Sequence, residues 1–151
     1  MKPVLSRDQM RAYDKFAVET CHVPGAVLME NAGRGAADII AGIAGDDKTA
    51  RIVVVCGAGN NGGDGFAVAR HLLSRGFDVH CFLMAPSEKV TGDARINHDA
   101  YIDVGGHYTE LPPGKELGPL EDELSQATLS VDALFGTGLA RPIEGLSLIH
   151  I

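Results

Sequence analysis

Positive charge is in short supply in this sequence. Lys and Arg number 13 against 20 Asp and Glu, a formal net charge of -7, and the basic residues neither cluster nor interleave with aromatics, which make up only 5% of the chain. That balance speaks against nucleic acid as a partner. Long hydrophobic runs are missing too. No uninterrupted apolar stretch approaches the roughly 20 residues of a membrane-spanning helix, and the opening MKPVLSRDQM goes straight into charged residues without the apolar centre of a signal peptide. The expectation is a cytoplasmic protein with no membrane partner. The three cysteines, Cys21, Cys56 and Cys81, are odd in number and lack C-x-x-C spacing. They read as reduced core thiols and not as a disulfide or zinc set. His22, His71, His80, His98 and His107 show no metal-ligand spacing and read as surface or helix-face residues. No G-x-S-x-G elbow occurs, so Ser/His/Asp catalysis has nothing to stand on.

What is present is the composition of one ordinary domain: 151 residues, 45% hydrophobic and 22% charged. Ser6-Arg7-Asp8-Gln9 has the form of a capping box. Met10, Tyr13, Ala17 and Cys21 follow at helical intervals until Val23-Pro24-Gly25. A second helix is predicted with Leu28, Ala32, Ala36, Ile39 or Ile40 and Ile43 on one face; Glu30 and Asn31 interrupt it, facing either the site through its wall or the surface. RIVVVC, from Arg51, is a short β-branched run of the kind covered on both faces in a parallel sheet. A glycine loop and a third helix follow, with Phe66, Ala69, Leu72 and Leu73 inward and Arg70, His71 and Arg75 outward. FDVHCFLM, HYTEL and LSVDALFG are further strands, the second of them weak. TGDARINHDAYIDVGG and KELGPLEDELSQA are the intervening helices, the latter broken near Gly118-Pro119. Strands alternating with helices predict an α/β fold with a mostly parallel sheet.

The stretch VVVCGAGNNGGDGFAVARHL carries the chemistry. Gly57-Ala58-Gly59-Asn60-Asn61-Gly62 spells G-x-G-x-x-G between a strand and a helix, where glycines permit positive φ and close backbone approach and the first helical amides favour an anion such as a phosphate. A dinucleotide dehydrogenase also needs an acidic residue at the carboxyl end of the second strand. Asp78 falls at the start of that strand, and its end reads Leu83-Met84-Ala85-Pro86. A conventional NAD(P) dehydrogenase is therefore disfavoured.

Asn60, Asn61 and Asp64 are the unusual residues. A left-handed turn at Asn60 or Asn61, with Asp64 capping the helix, accounts for one or two of them. Three hard oxygen donors at a strand's end exceed what a turn needs, and suit an alkali or alkaline-earth cation or a polar ring. A second oxygen-rich stretch, SVDALFGTGLARPIEG, ends the last good strand. Asp132 is an ionisable residue within an apolar run and needs a partner, a turn to cap or a function. Gly136-Thr137-Gly138 supplies an amide-rich loop on the same side of the sheet.

At LSRDQMRAYDKFA, VPGAVLMENAG, GAGNNGGDGFAVARHL and DALFGTGLARPIEG, in that order, the sequence closely resembles the YjeF N-terminal domain family, the NAD(P)H-hydrate epimerases. The resemblance implies a Rossmann-like three-layer sandwich that interconverts the R and S forms of hydrated NADH and NADPH (NADHX and NADPHX). It implies substrate contacts from Asn60, Asn61, Gly62, Gly63 and Asp64 and from the loop Gly136, Thr137, Gly138, Leu139, Ala140, Arg141 and Pro142. A potassium ion would be held by Asn61 and Asp132. Epimerising a hemiaminal-like carbon needs proton transfers, and Asp132 is the expected acid-base group. A homodimer and a fused ADP-dependent dehydratase are the partners implied. Some members of the family are instead non-catalytic dimerisation modules, a role that would not need the N-N-G-G-D loop.

The family continues to a D-x-P-S-G motif, which does not occur in these 151 residues. Leu146-Ser147-Leu148-Ile149-His150-Ile151 is what CTG-TCT-CTT-ATA-CAC-ATC encodes, a transposon-end sequencing adapter. The expectation is an incomplete domain over residues 1-145 and an adapter-derived tail over 146-151. A doubly wound sheet cut there exposes an apolar edge, and the truncated chain is expected to fold poorly and to be inactive or nearly so.

Overall fold

Four parallel strands in the order β3-β2-β1-β4 form the centre of the protein, in a computed structural model that describes residues 4-45 and 47-137. They are β1 (Arg51–Cys56), β2 (Asp78–Leu83), β3 (His107–Glu110) and β4 (Leu129–Ala133). β1 pairs in parallel with both β2 and β4. Its unbroken apolar sequence follows from that position, because both of its faces are covered. Ile52, Val54 and Cys56 lie in a core with Val79, Cys81, Leu83, Phe66 and Leu72, whereas Val53 packs with Phe82, Leu111 and Leu120 on the other face.

Helices supply the outer layers. α2 (Gly25–Ala44), α3 (Asn60–Ser74) and α4 (Gly92–Asp103) pack on one another over the first face, and α5 (Gly118–Gln126) covers the second. α5 begins at the expected break, with Pro119 in its first turn where a missing amide costs nothing. α3 is wedged between α2 and α4, so Ala67 and Val68 are buried along with Phe66, Ala69 and Leu72.

α1 (Arg7–Glu19) opens with the expected capping box: Ser6 N donates to Gln9 Oε1 at 2.8 Å, and Gln9 N donates to Ser6 Oγ at 3.3 Å. The apolar face expected of it is not buried. Met10 is 43% and Tyr13 63% exposed, and Cys21 lies beyond the helix, exposed, unlike the buried thiols Cys56 and Cys81.

The buried face of α2 also differs from the expected one. Met29, Gly33 and Ala37 are buried, and Ile39 and Ile43 are 67% exposed. Small residues set that face: a side chain at Gly33 would collide with Ala67 of α3, so the helices meet where the sequence is smallest. Glu30 bonds Arg70 and His71 of α3, the latter at 2.8 Å, and so turns away from the strand ends. His98 corrects another expectation. It is 2% exposed, held by Asp99 Oδ1 at 2.8 Å and edge-on to Phe66 and Tyr108.

Candidate functional site at the carboxyl ends of the strands

The strand order places a topological switch between β1 and β4. The chain winds from β1 through α3 to β2 and on to β3, then crosses back to β4 on the far side of β1. Loops leaving two such strands diverge to opposite faces and open a crevice where ligands bind. Gly57 and Leu134, the residues following β1 and β4, touch there: Gly57 N donates to Ala133 O at 3.0 Å, and a side chain at Gly57 would strike the Leu134 carbonyl.

The glycines of the loop act by close approach. Gly59 is the N-cap of α3 at φ -91°, and no residue from Gly57 to Gly63 has positive φ. A side chain at Gly62 would run into the Gly57 carbonyl, and one at Gly65 would come within 2.6 Å of Ala133 Cβ and 2.8 Å of Cys56 Sγ. The helix is thus drawn tightly onto the strand ends. Neither asparagine takes a left-handed turn, because Asn60 and Asn61 are the first two residues of α3 itself. Asp64 does not cap it. No side chain caps this helix, so its first amides point into the crevice as free donors at the positive end of the dipole.

α3 separates the motif onto two sides. Asn61 faces the loop after β4, where a side chain added at Gly136 would lie 3.2 Å from Asn61 Cβ and 3.4 Å from its Oδ1. Asn60 and Asp64, four apart and therefore on one stripe of the helix, line a cavity of about 470 Å³ on the other side. Gly25, Leu28, Met29 and Ala32 of α2 form its apolar wall, and Asp93 of α4 and Asp14 and Lys15 of α1 complete it. Gly62 and Gly63 are buried beneath. Burial, reinforced by the negative charge of Asp14, pushes the Asp64 carboxyl up to about 6.

Asp132 is exposed on β4, opposite Val55, and its Oδ1 accepts from the Leu134 amide at 2.9 Å. Strand alternation turns Leu129, Val131 and Ala133 toward the α3 side and Asp132 toward the other face. It has the turn-capping partner that its place in an apolar strand demanded. Gly136 and Thr137 are exposed beside Asn61, while Gly138, Leu139, Ala140, Arg141, Pro142 and the tail 146-151 lie outside the described residues.

Two participants escaped the sequence reading, both on α1. Arg11 Nη2 donates to the Thr137 carbonyl at 3.1 Å, and Asp14 enters the cavity with Met10 and Val18. Positions 10, 14 and 18, each four apart, form one helical stripe, a signal present in the sequence but not weighed there. A second cavity, of about 340 Å³, lies near the amino ends of β1 and β2. There Arg51 joins Asp78 at 3.0 Å and Glu123 at 3.3 Å, a tie between the strands and α5.

A parallel sheet with a glycine-tight strand-to-helix turn and an uncapped helix at its switch point defines a Rossmann-like α/β domain. Comparison with known proteins narrows this: the chain belongs to the YjeF-related protein N-terminus family, which matches residues 25–151. It is 38% identical over 156 residues to the NAD(P)H-hydrate epimerase of Roseobacter litoralis, covering 97% of this chain and 69% of that protein. It is 43% identical over 139 residues to the bifunctional NAD(P)H-hydrate repair enzyme Nnr of Moorella thermoacetica, covering 91% of this chain and 26% of that one. The chain thus spans about a quarter of the length of this bifunctional relative. The crystal structure of yeast ynu0 shares its fold, with a TM-score of 0.84 at 23% identity, over 99% of this chain and 63% of that one.

Proposed function

We propose that this chain is the epimerase unit for hydrated NADH and NADPH, interconverting the R and S forms of NADHX and NADPHX. The observation that carries the reading is the two-sided first turn of α3, in a chain whose relatives are named NAD(P)H-hydrate epimerase. On one side, free helix amides, Asn61 and the exposed Gly136 and Thr137 offer donors suited to the nucleotide's phosphates. On the other, an apolar wall with Asn60 and Asp64 suits the uncharged hydrated ring.

The acid-base role expected of Asp132 goes in this proposal to Asp64. A carboxyl group pushed up to about 6 exchanges protons near neutral pH, as a general acid-base group must. Asp64 protonates the hydroxyl of the hemiaminal carbon; water leaves as the ring nitrogen's lone pair forms a C=N⁺ bond. Water then adds to the other face and returns its proton to Asp64. The proton count closes, and the product is the opposite epimer.

Asn61 and Asp132 would hold a potassium ion. The donor chemistry fits, since the amide oxygen of Asn61 on α3 and the carboxylate of Asp132 on β4 are hard ligands for a hard cation. Bound there, potassium supplies fixed positive charge; the proton transfer itself belongs to Asp64. Among the described residues no group of three or more His, Cys, Asp or Glu could hold a metal ion.

The match to bifunctional repair enzymes supports a further reading, that this unit works alongside a dehydratase domain in a longer protein; a homodimer remains the expected assembly. Among the described residues no helix is long and apolar enough to cross a membrane. Incubating a single epimer of hydrated NADH with the chain tests the reading, because epimerisation above the buffer rate is required.

A further inference from the structure

We propose that Asp14 of α1 is a positioning residue for the reaction, a negative charge facing Asp64 across the substrate cavity that keeps the catalytic proton on Asp64. The proposal rests on the epimerase reading and goes beyond it by bringing α1 into the site. That helix buries none of its own side chains.

The geometry assigns α1 this role. Asp14 and Asp64 line the same cavity from opposite elements, one exposed at its mouth and the other partly buried at the start of α3. Leu28, Met29 and Ala32 form the apolar wall of the same cavity, and Asn60 adds a polar amide to it. The other charged groups facing the cavity are Lys15 and Glu19 of α1 and Asp93 of α4; α2 contributes none, because Glu30 is engaged by Arg70 and His71. Lys15 lies 3.8 Å from Glu19, which leaves Asp14 as the carboxylate acting on Asp64 from α1. Asp64 stands three residues beyond Asn61 and lines this cavity, whereas Asn61 faces the loop after β4.

Two carboxylates in one partly apolar cavity resist ionising together. With Asp14 ionised, Asp64 keeps its proton to a higher pH than burial alone would allow. As a ring enters and displaces water, the pair holds a proton on Asp64 for the departing hydroxyl and a negative charge on Asp14 facing the C=N⁺ cation. Neither carboxylate has to be created at the moment of reaction.

The test is the pH profile of epimerisation by the full chain in three forms, wild type, Asp14→Asn and Asp14→Glu, together with carboxyl NMR titration of Asp64 in each. The wild-type profile should show a limb near pH 6, set by Asp64. In Asp14→Asn that limb and the Asp64 titration should both move to lower pH. At pH 7 kcat should fall about tenfold for each unit moved, with KM little changed. Asp14→Glu should restore both. Because Asp14 is exposed, the variants should fold, with Asp14→Glu melting with the wild type and Asp14→Asn at or slightly above it at pH 7, where a repulsion on Asp64 is removed. Wild-type activity with an unmoved limb and titration in Asp14→Asn would overturn the proposal and leave the epimerase reading standing. A folded wild-type chain that does not epimerise would overturn that reading, and the proposal with it.

Discussion

Arg11 and Thr137 lie 126 residues apart in sequence and are joined by a 3.1 Å hydrogen bond from guanidinium Nη2 to backbone carbonyl. The bond fastens α1 to the loop that leaves β4, the loop assigned here to the substrate. Replacing Arg11 by Ala removes one exposed hydrogen bond worth about 0.5 kcal/mol, which corresponds to a rise in KM of about twofold. The group is exposed, so the cost in stability should stay within about 0.5 kcal/mol. Steady-state kinetics and a denaturant melt check both halves. Equal KM values would show that the latch does not order the loop for substrate.

The glycines of the loop should divide sharply. Gly62→Ala places a methyl group against the Gly57 carbonyl and should cost about 1–3 kcal/mol in a urea melt. Gly59→Ala meets nothing within 4 Å at a φ of -91°, so its effect should be within about 0.5 kcal/mol. Comparable losses at both positions would contradict the view that close approach, and not backbone freedom, fixes this turn.

Asp64 ties stability to pH with a definite sign. Its carboxyl titrates near 3.8 when unconstrained and is pushed up to about 6 in the fold, so the folded state binds the proton more tightly. Ionisation therefore destabilises the fold progressively from about pH 4 to 6, and the loss is complete above that. Asp64→Asn should match the wild type in melting temperature near pH 4 and exceed it by about 2–5 °C at pH 7.5. A variant less stable than the wild type at pH 7.5 would refute the burial argument.

The architecture was legible because its elements obey simple periodicities. RIVVVC could only be a strand covered on both sides, and Ser6-x-x-Gln9 fixed the start of α1. The faces of α1 and α2 were not legible. Ile39 and Ile43 looked like core residues, but the contact between α2 and α3 is set by Gly33 against Ala67, and hydrophobicity does not report small-residue contacts. His98 passed for a surface residue because polarity hides the fit of its ring between Phe66 and Tyr108. In the site, Asn60, Asn61 and Asp64 were visible as an oxygen cluster, but their division between two sides depends on the helix starting at Asn60 itself. Asp14 and Arg11 meet their partners only through the fold, from more than 45 and 120 residues away.

Cation dependence should separate the two aspartates. If Asn61 and Asp132 hold potassium, Asn61→Ala and Asp132→Asn should raise the potassium concentration needed for half-maximal rate. Asp64→Asn should lower the rate at every potassium concentration by about 10²–10⁴-fold, the range of a lost acid-base group. Rate measurements across a potassium series, with sodium holding ionic strength constant, distinguish these effects. An unchanged potassium response in Asp132→Asn would remove it from the cation site.

One purified epimer of hydrated NADH, followed by chiral chromatography in potassium buffer at pH 7 with wild-type chain, Asp64→Asn chain or buffer alone, gives the decisive measurement. With the folded wild type the epimers should mix above the buffer rate, against the near-inactivity expected of a truncated domain, and with Asp64→Asn they should mix at near-buffer rates. Wild-type rates equal to buffer, from a chain shown to be folded, would contradict the epimerase reading.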